Sequence, residues 1–127
     1  MCPFCSRGQD AWGELLGQNE LAYLITLPEP VLPNSVMVIP KRHVVTPFEL
    51  TEAEWLSLYD LMKLAKTHLE GIEQPDGFNI GFNVFEAGGQ HVPHVHMHVF
   101  ARYSDEPMAG KGIRYALKQA ENARPLK

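Results

Sequence analysis

The sequence is poor in cysteine and contains no long apolar segment. Its 2 cysteines among 127 residues are too few for the disulfide framework that stabilises many small secreted domains. No apolar run is long enough to cross a bilayer, and the N-terminal residues Met1-Cys2-Pro3-Phe4-Cys5 lack the charged and apolar regions of a signal peptide. We therefore expect a cytoplasmic protein that does not bind membranes.

Positive charge is also in deficit. The chain has 11 Lys and Arg against 15 Asp and Glu, which gives a net charge of −4, so we expect no nucleic-acid partner. Apolar residues make up 45% of the sequence and charged residues 20%, which are the proportions of a globular protein. A chain of this length can bury its own core, and we predict a single domain over residues 1–127.

The most clearly marked element is a long helix that begins at Thr51, because Thr51-Glu52-Ala53-Glu54 matches a capping box. Apolar residues recur behind it at helical spacing: Trp55, Leu58, Leu61, Met62, Ala65, Leu69 and Ile72. Shorter patterns predict a helix over 10–16, strands over 21–27, 35–39 and 78–85, and a helical patch over 114–123. Strands in succession around one long helix indicate an α+β domain with an antiparallel sheet.

The most informative segment is His94-Val95-His96-Met97-His98, in which three histidines alternate with apolar residues. This alternation predicts a strand with the three imidazoles on one face. Imidazole titrates near neutral pH, so such a row suits proton transfer, metal binding or nucleophilic catalysis. The residues alone leave three interpretations open: a metal site, a histidine nucleophile, or a solvated row without a function.

A second cluster is Cys2-Pro3-Phe4-Cys5. Two cysteines at this spacing form half of a zinc site. A redox pair and a functionless pair at the chain terminus are the alternatives, and no thioredoxin-like pattern surrounds the motif.

The histidine segment, followed by Val99 and Phe100, resembles the signature of the histidine triad (HIT) superfamily. Asn83, Gly88-Gly89-Gln90 and the run Val38-Ile39-Pro40-Lys41-Arg42-His43 resemble that family as well, so the likeness covers nearly the whole chain. It implies a HIT-like fold, which is a five-stranded antiparallel sheet with one long and one short helix. It also implies a homodimer in which the two sheets join.

The resemblance implies a nucleotide hydrolase. His96 would attack the α-phosphorus of a dinucleoside polyphosphate or a nucleoside phosphoramidate, and water would release a nucleoside monophosphate from the nucleotidyl-histidine. His98 would stabilise charge near the α-phosphate, and His94 would support the row from the base of the site. A histidine at position 98 favours hydrolysis, since the nucleotidyltransferase branch of the superfamily typically carries another residue there.

Four further residues complete the implied site. The resemblance assigns Asn83, Gly89 and Gln90 to substrate binding. His91 departs from the many relatives that carry Ser or Thr at this position, where the residue meets the leaving group. An imidazole there would act as a general acid toward that group, and an exposed loop residue is the alternative.

The N-terminal cysteines resemble those of a zinc-bearing HIT subgroup. This resemblance implies a structural Zn²⁺ held by Cys2, Cys5, His43 and His94, with no organic cofactor. Two sulfurs and two nitrogens make a closed tetrahedral site, which is structural rather than catalytic. The site would tie the N-terminus to the active strand and fix the tautomer of His94.

Two other functions remain open. The triad itself could hold a catalytic metal. Alternatively, the chain could be a nucleotide-binding regulatory protein with vestigial catalysis, because Leu27 and Asn34-Ser35 stand where relatives carry a ribose-binding Asp and a Gly-His pair.

Overall fold

The computed structural model describes residues 2–5 and 13–125. Five strands and one α-helix form the frame: β1 (Leu15–Gln18), β2 (Ala22–Thr26), β3 (Ser35–Pro40), α1 (Glu52–Ile72), β4 (Gly77–Phe82) and β5 (Met97–Arg102). Short 3₁₀ segments complete it over Pro47–Glu49, Glu86–Gly88, Ile113–Lys118 and Ala120–Asn122. None of the helices within these described ranges is long and apolar enough to cross a membrane.

The five strands form one sheet in the order β1-β2-β3-β5-β4, and all neighbours are antiparallel. The histidine strand β5 therefore lies between β3 and β4, with Met97 opposite Val38 and His98 opposite Gly81. This topology confirms the predicted α+β class and the five-stranded antiparallel sheet of the HIT-like fold.

Side chains of β2, β3 and β5 alternate between the two faces of the sheet, as a strand requires. One face packs against α1 and includes Leu24, Val38 and Val99. The opposite face carries a second cluster of Phe4, Tyr23, Ile25, Met37 and Ile39. We call this second face the cleft face, because the histidine row opens on it.

Helix α1 begins where the capping box predicts. The Glu54 amide donates to Thr51 Oγ1 at 3.1 Å, and the Thr51 amide donates to Glu54 Oε1 at 2.9 Å. The apolar side chains of Leu58, Leu61, Ala65 and Leu69 are buried against the sheet. Trp55 and Ile72 were predicted on the same apolar face but are 43% and 55% exposed, because they lie on the flank and at the end of the helix.

Three predicted segments differ in detail. Residues 10–12 of the predicted helix over 10–16 lie outside the described residues, and Leu15 and Leu16 belong to β1 because that segment pairs with β2. The strand predicted to reach position 85 ends at Phe82. The helical patch over 114–123 forms two 3₁₀ segments instead of an α-helix.

Candidate functional site

A cleft of about 420 Å³ opens on the cleft face beside the histidine row. Its walls come from β3, β4, β5, the Cys2–Cys5 turn and the segment around position 90, and they include Phe4, Met37, Asn83, His91, His96 and His98. The regular strand β5 starts only at Met97, because the Val95 amide donates to the Val44 carbonyl instead of to a strand neighbour. The predicted alternation nevertheless holds, since the rings of His96 and His98 lie on the same face with centroids 4.8 Å apart.

His96 is held in one tautomer. Its Nδ1 lies 2.8 Å from the His94 carbonyl oxygen, and since a carbonyl only accepts, Nδ1 carries the proton. Nε2 therefore bears the lone pair of a neutral imidazole. Only 7% of the surface of His96 is exposed. Burial lowers the pKa of His96, and the neighbouring charge of His91 adds to this, while the bond to the His94 carbonyl partly offsets them. The ring is thus a neutral imidazole with a free lone pair on Nε2 at physiological pH.

His98, unlike His96, has a ring nitrogen without a hydrogen-bond partner among the described residues. Burial lowers its pKa to about 4, and the nearby His96 adds to the effect. Its Nδ1 is buried and has no hydrogen-bond partner within residues 2–5 and 13–125. A buried polar atom without a partner is costly, and such atoms concentrate where a ligand binds. His98 is therefore a neutral imidazole with an unpartnered polar atom beside His96.

His94 is completely buried and does not line the cleft. Its Nε2 donates to the Pro40 carbonyl at 2.8 Å, so Nδ1 carries the lone pair. That atom lies 3.3 Å from Cys2 Sγ, 3.6 Å from Cys5 Sγ and 3.2 Å from His43 Nδ1. Cys5 Sγ in turn lies 3.2 Å from His43 Nδ1.

These four donor atoms all lie within 4.8 Å of one another. The edges of a tetrahedron around zinc are about 3.3 Å between nitrogens and about 3.6 Å between nitrogen and sulfur, given the usual bond lengths. The four separations given above, 3.2–3.6 Å, are close to these values, so the donor set fits a structural metal. Among the described residues this is the one such group, and only His94 of the triad belongs to it. A catalytic metal held by the triad itself therefore receives no support.

His43 is positioned by the residue before it. The Arg42 guanidinium donates to both carboxylate oxygens of Glu54, at 2.9 and 2.8 Å. This bidentate pair ties the segment after β3 to the first turn of α1. Hydrogen bonding from Arg42 lowers the pKa of Glu54 to about 2, so the pair persists throughout the neutral range.

The loop residues divide into two groups. Asn83 and Gly89 line the cleft, and Gly89 adopts a left-handed backbone with φ of 96°, a conformation that glycine reaches without strain. The Gln90 amide is instead occupied by the backbone, accepting from the Phe85 amide at 2.7 Å and donating to the Val45 carbonyl at 2.8 Å. The structure therefore brings Asn83 and Gly89 to the histidines and places Gln90 behind them.

His91 is exposed at the cleft wall. Its charge reaches His96 strongly enough to lower the pKa of that group. This placement fits either interpretation made from the sequence, and the general-acid role of His91 stays a prediction.

Phe4 is a site residue that the sequence analysis did not identify. Only 1% of it is exposed, and its ring meets those of His96 and His94 edge-on, with centroids 5.0 and 5.9 Å away. The sequence offers one signal for it, an aromatic residue enclosed between two candidate metal ligands. That signal does not say which face of the sheet the ring will contact.

Comparisons with known proteins agree with this geometry. The family model described as "HIT domain" matches residues 10–105. An AP-4-A phosphorylase from Mycobacterium tuberculosis is 31% identical over 98 residues, which are 76% of this chain and 50% of that protein. A bis(5'-adenosyl)-triphosphatase from Dictyostelium discoideum is 33% identical over 93 residues, covering 70% and 60%. An adenosine 5'-monophosphoramidase from Danio rerio is 27% identical over 105 residues, covering 81% and 66%. The chain thus spans between half and two thirds of these relatives.

Solved structures share the fold. A HIT family protein from Bacillus subtilis superimposes with a TM-score of 0.73 at 26% identity, over 82% of this chain and 74% of that chain. A protein from Sulfolobus tokodaii, described as a hypothetical histidine triad nucleotide-binding protein, gives a TM-score of 0.74 at 25% identity, over 83% and 71%.

Proposed function

Because this chain belongs to the HIT domain family, we propose that it hydrolyses nucleotides through a covalent bond between His96 and the α-phosphorus. The observation that carries the proposal is the buried neutral ring of His96, whose Nδ1 proton is held by the His94 carbonyl. The substrates are dinucleoside polyphosphates or nucleoside phosphoramidates, in keeping with the names of the relatives.

In the first step, the lone pair on His96 Nε2 attacks the α-phosphorus and forms a P–N bond. The bond from phosphorus to the leaving oxygen or nitrogen breaks, and its electron pair departs with the leaving group, which takes a proton from His91 or from water. The His94 carbonyl stabilises the positive charge that develops on the ring, because it accepts the Nδ1 proton.

In the second step, water attacks the same phosphorus. A P–O bond forms, the P–N bond breaks, and the electron pair returns to His96 Nε2. The water proton passes to whichever group protonated the leaving group in the first step, His91 or solvent, and a nucleoside monophosphate leaves. The protein therefore has the same protonation state at the start and at the end of the cycle.

The remaining residues bind and stabilise the phosphoryl group. His98 donates to a phosphate oxygen, and the Asn83 side-chain amide supplies a further donor from the cleft wall. The Gly89 amide already donates to the Glu86 carbonyl, so Gly89 contributes through the left-handed backbone that lets the loop approach the substrate. Donors fixed in advance around a phosphoryl group are the main electrostatic contribution to such reactions. Gln90 keeps the loop in shape through its two backbone bonds, so its predicted substrate contact would require those bonds to open.

We also propose that Cys2, Cys5, His43 and His94 hold a structural Zn²⁺. The metal would use all four positions and leave none for substrate, so its contribution is to fix the N-terminal turn and the ring of His94. Metal content by inductively coupled plasma mass spectrometry should give one zinc per chain. A chain purified without zinc that keeps its full stability and activity would contradict this assignment.

We propose further that two copies pair through the β4 edge. β4 has one hydrogen-bonded neighbour, β5, and an edge strand of this kind can accept another chain. Trp55 packs on Phe82 with centroids 5.6 Å apart, and Trp55, Tyr59 and Ile80 are each at least 41% exposed. Sedimentation should show a dimer that Ile80→Lys dissociates. A monomeric wild-type chain would contradict the proposal.

The decisive experiment is product analysis from diadenosine tetraphosphate, with and without inorganic phosphate, for the wild-type chain and His96→Ala. Hydrolysis yields AMP and ATP, whereas phosphorolysis yields ADP and ATP. We expect AMP from the wild-type chain alone, together with a mass increase on the His96 peptide after acid-free quenching. Turnover by His96→Ala equal to that of the wild-type chain would show that His96 is not the nucleophile. Tight nucleotide binding without turnover on any substrate would instead favour a regulatory protein.

A further inference from the structure

A second hollow of about 520 Å³ lies next to the cleft. Its wall is the segment 110–119 together with Asn79 of β4, and it shares Asn79 and Ile113 with the cleft itself. The proposed mechanism does not use this hollow.

The hollow concentrates positive charge in an acidic chain. Five described cations lie outside any ion pair with another described residue, and three of them, Lys111, Arg114 and Lys118, line this one hollow. The described lining residues include no carboxylate, although the whole chain carries a net charge of −4. A local excess of cations at a concave surface attracts anions.

The segment that carries these cations is fixed in place. The Arg102 guanidinium donates to the carbonyl oxygens of Met108 and Lys111, at 2.9 and 2.8 Å. It also bonds Asn79 and forms an ion pair with Glu106. Arg102 itself is therefore occupied, while the cations it positions remain available.

The hollow begins within reach of the reaction centre. A Cβ on Gly81 would lie 3.4 Å from Ile113 Cδ1, and Gly81 is directly opposite His98. His98 follows His96 by two residues, about 7 Å along the strand. A group about 7 Å from His96 is too far away to contact the phosphate that His96 attacks, but it can contact phosphates farther along a polyphosphate substrate.

We propose that this hollow, which we call the distal anion site, binds the outer phosphates of a polyphosphate leaving group. The inference rests on the proposed function and narrows it. Substrates whose leaving group is a nucleoside polyphosphate gain binding energy here, whereas phosphoramidates, whose leaving group is an uncharged amine, do not.

The test compares kcat/KM for diadenosine tetraphosphate and for adenosine 5'-phosphoramidate. The variant is Lys111→Gln with Arg114→Gln and Lys118→Gln, and the matched control is Lys63→Gln with Lys66→Gln on α1. Exposed charge contacts are individually weak, so we expect the triple variant to lose about tenfold on the tetraphosphate. Its activity on the phosphoramidate and both activities of the control should stay within about twofold of wild type, a small difference on the same scale.

Binding of inorganic tripolyphosphate to the full chain, measured by calorimetry, gives a readout that needs no turnover. The triple variant should lose this binding and the control should keep it. Equal losses on both substrates, or tripolyphosphate binding that the triple variant retains, would overturn the distal anion site. Inactivity of the wild-type chain on both substrates would instead count against the proposed function, and the calorimetry would still decide the site.

Independent ring contacts carry a second inference. Phe4 stands between Cys2 and Cys5 and touches both the metal-side ring of His94 and the nucleophile ring of His96. The turn that holds it is anchored from the core, because the Tyr23 hydroxyl donates to the Phe4 carbonyl at 2.5 Å. We infer that Phe4 is a positioning residue that keeps His96 in the orientation set by the metal-binding turn.

Phe4→Ala should slow formation of the nucleotidyl-histidine about tenfold with little change in KM, a loss typical of a misplaced reacting group. Phe4→Leu should recover part of the rate. Ile25→Ala, a buried change in the same cluster that leaves the His96 contact intact, is the control for general loosening.

The readout that separates positioning from stability is the nitrogen NMR spectrum of His96 in the metal-loaded chain without substrate. Phe4→Ala should broaden or shift the Nδ1–H signal at unchanged zinc content, and Ile25→Ala should not. An unchanged signal with an unchanged rate would overturn the role of Phe4, as would an Ile25→Ala variant with the same losses.

Discussion

The two ends of the histidine row differ in how their rings are satisfied. At one end, His94 uses both nitrogens, one on the Pro40 carbonyl and one toward the cysteines and His43. At the other end, His98 has a buried Nδ1 without a partner among the described residues. His96 lies between them, with one nitrogen bound and the other open to the cleft.

One residue type in one repeating pattern therefore gives three chemically different groups. His94 and His96 are buried and His98 is half-buried, and the loss of solvent lowers the pKa of all three. The three rings differ in the partner of each nitrogen, and in the proposed mechanism this difference decides which ring binds the metal, which attacks phosphorus and which donates a hydrogen bond.

Removing the central ring should have the largest effect. His96→Gly should lower kcat/KM by at least about 10³-fold, since covalent catalysis is lost. Added imidazole should restore part of the turnover by entering the space that the side chain vacates. Rates would be followed by chromatography of AMP, with His68→Gly as a variant distant from the row. Turnover in His96→Gly near the wild-type level would show that no bond to His96 forms.

A change at the His94 end of the row should affect metal content more than it affects the rate of catalysis. His43→Ala removes a proposed metal ligand but no residue that lines the cleft. We expect at least a 100-fold weaker zinc affinity, because even partners behind the ligands contribute about 10–100-fold. The measurement is competition with a chelator that changes colour on binding zinc. His98→Ala is the matched variant at the open end and should keep the metal.

At the other end of the row, His98 should make the stability of the chain depend on pH. The folded pKa of His98, about 4, lies below its unfolded value, so the unfolded chain binds the proton first as the pH falls. Stability is therefore fully present above about pH 6.5 and is lost as the pH falls toward 4. From pH 7.5 to pH 5 the wild-type chain should lose about 2 kcal/mol more than His98→Asn.

Urea unfolding of zinc-loaded protein at both pH values would measure this difference. His68→Asn on α1 is the control and should follow the wild-type curve. Identical slopes for the wild-type chain and His98→Asn would show that the His98 ring is not the group responsible.

The smallest expected effect lies in the loop that faces the open end. Phe85 has φ of 61° and ψ of 169°, a region that is nearly exclusive to glycine, and its ring is 60% exposed. Phe85→Gly should therefore raise the free energy of unfolding by about 1 kcal/mol, measured by urea. Ala87→Gly, two residues farther along the same loop, is the control. It should lower the free energy of unfolding, because Ala87 has no positive φ to relieve and glycine adds freedom to the unfolded chain. A destabilised Phe85→Gly would indicate that the ring makes contacts worth more than the strain.

Much of the fold could be predicted from local patterns. The helix start followed from the reciprocal geometry available to Thr51 and Glu54, and the faces of the strands followed from alternation. The four candidate metal ligands came from the family resemblance, which carries long-range information that local propensity lacks. The shift of β5 to Met97 was not predictable, because it depends on where the Val44 carbonyl happens to lie.

The rest of the site depends on contacts between distant segments. Phe4 touches His96 only because the sheet brings the N-terminal turn under β5. Ile113 reaches the cleft because Arg102 ties down the segment before it. The Gln90 amide is occupied by Val45, a residue 45 positions away, so its sequence neighbours gave no indication that it would be withheld from the cleft.

The contact between Cys2 and His94 joins residues 92 positions apart, and this has a consequence for how the protein is made. A contact of such long range forms late in folding, because the intervening chain must first be ordered. During synthesis the N-terminal turn emerges long before the histidines that complete it. His96 therefore gains its orientation only when nearly the whole sheet is assembled, and under the proposed mechanism partly folded chains should be inactive.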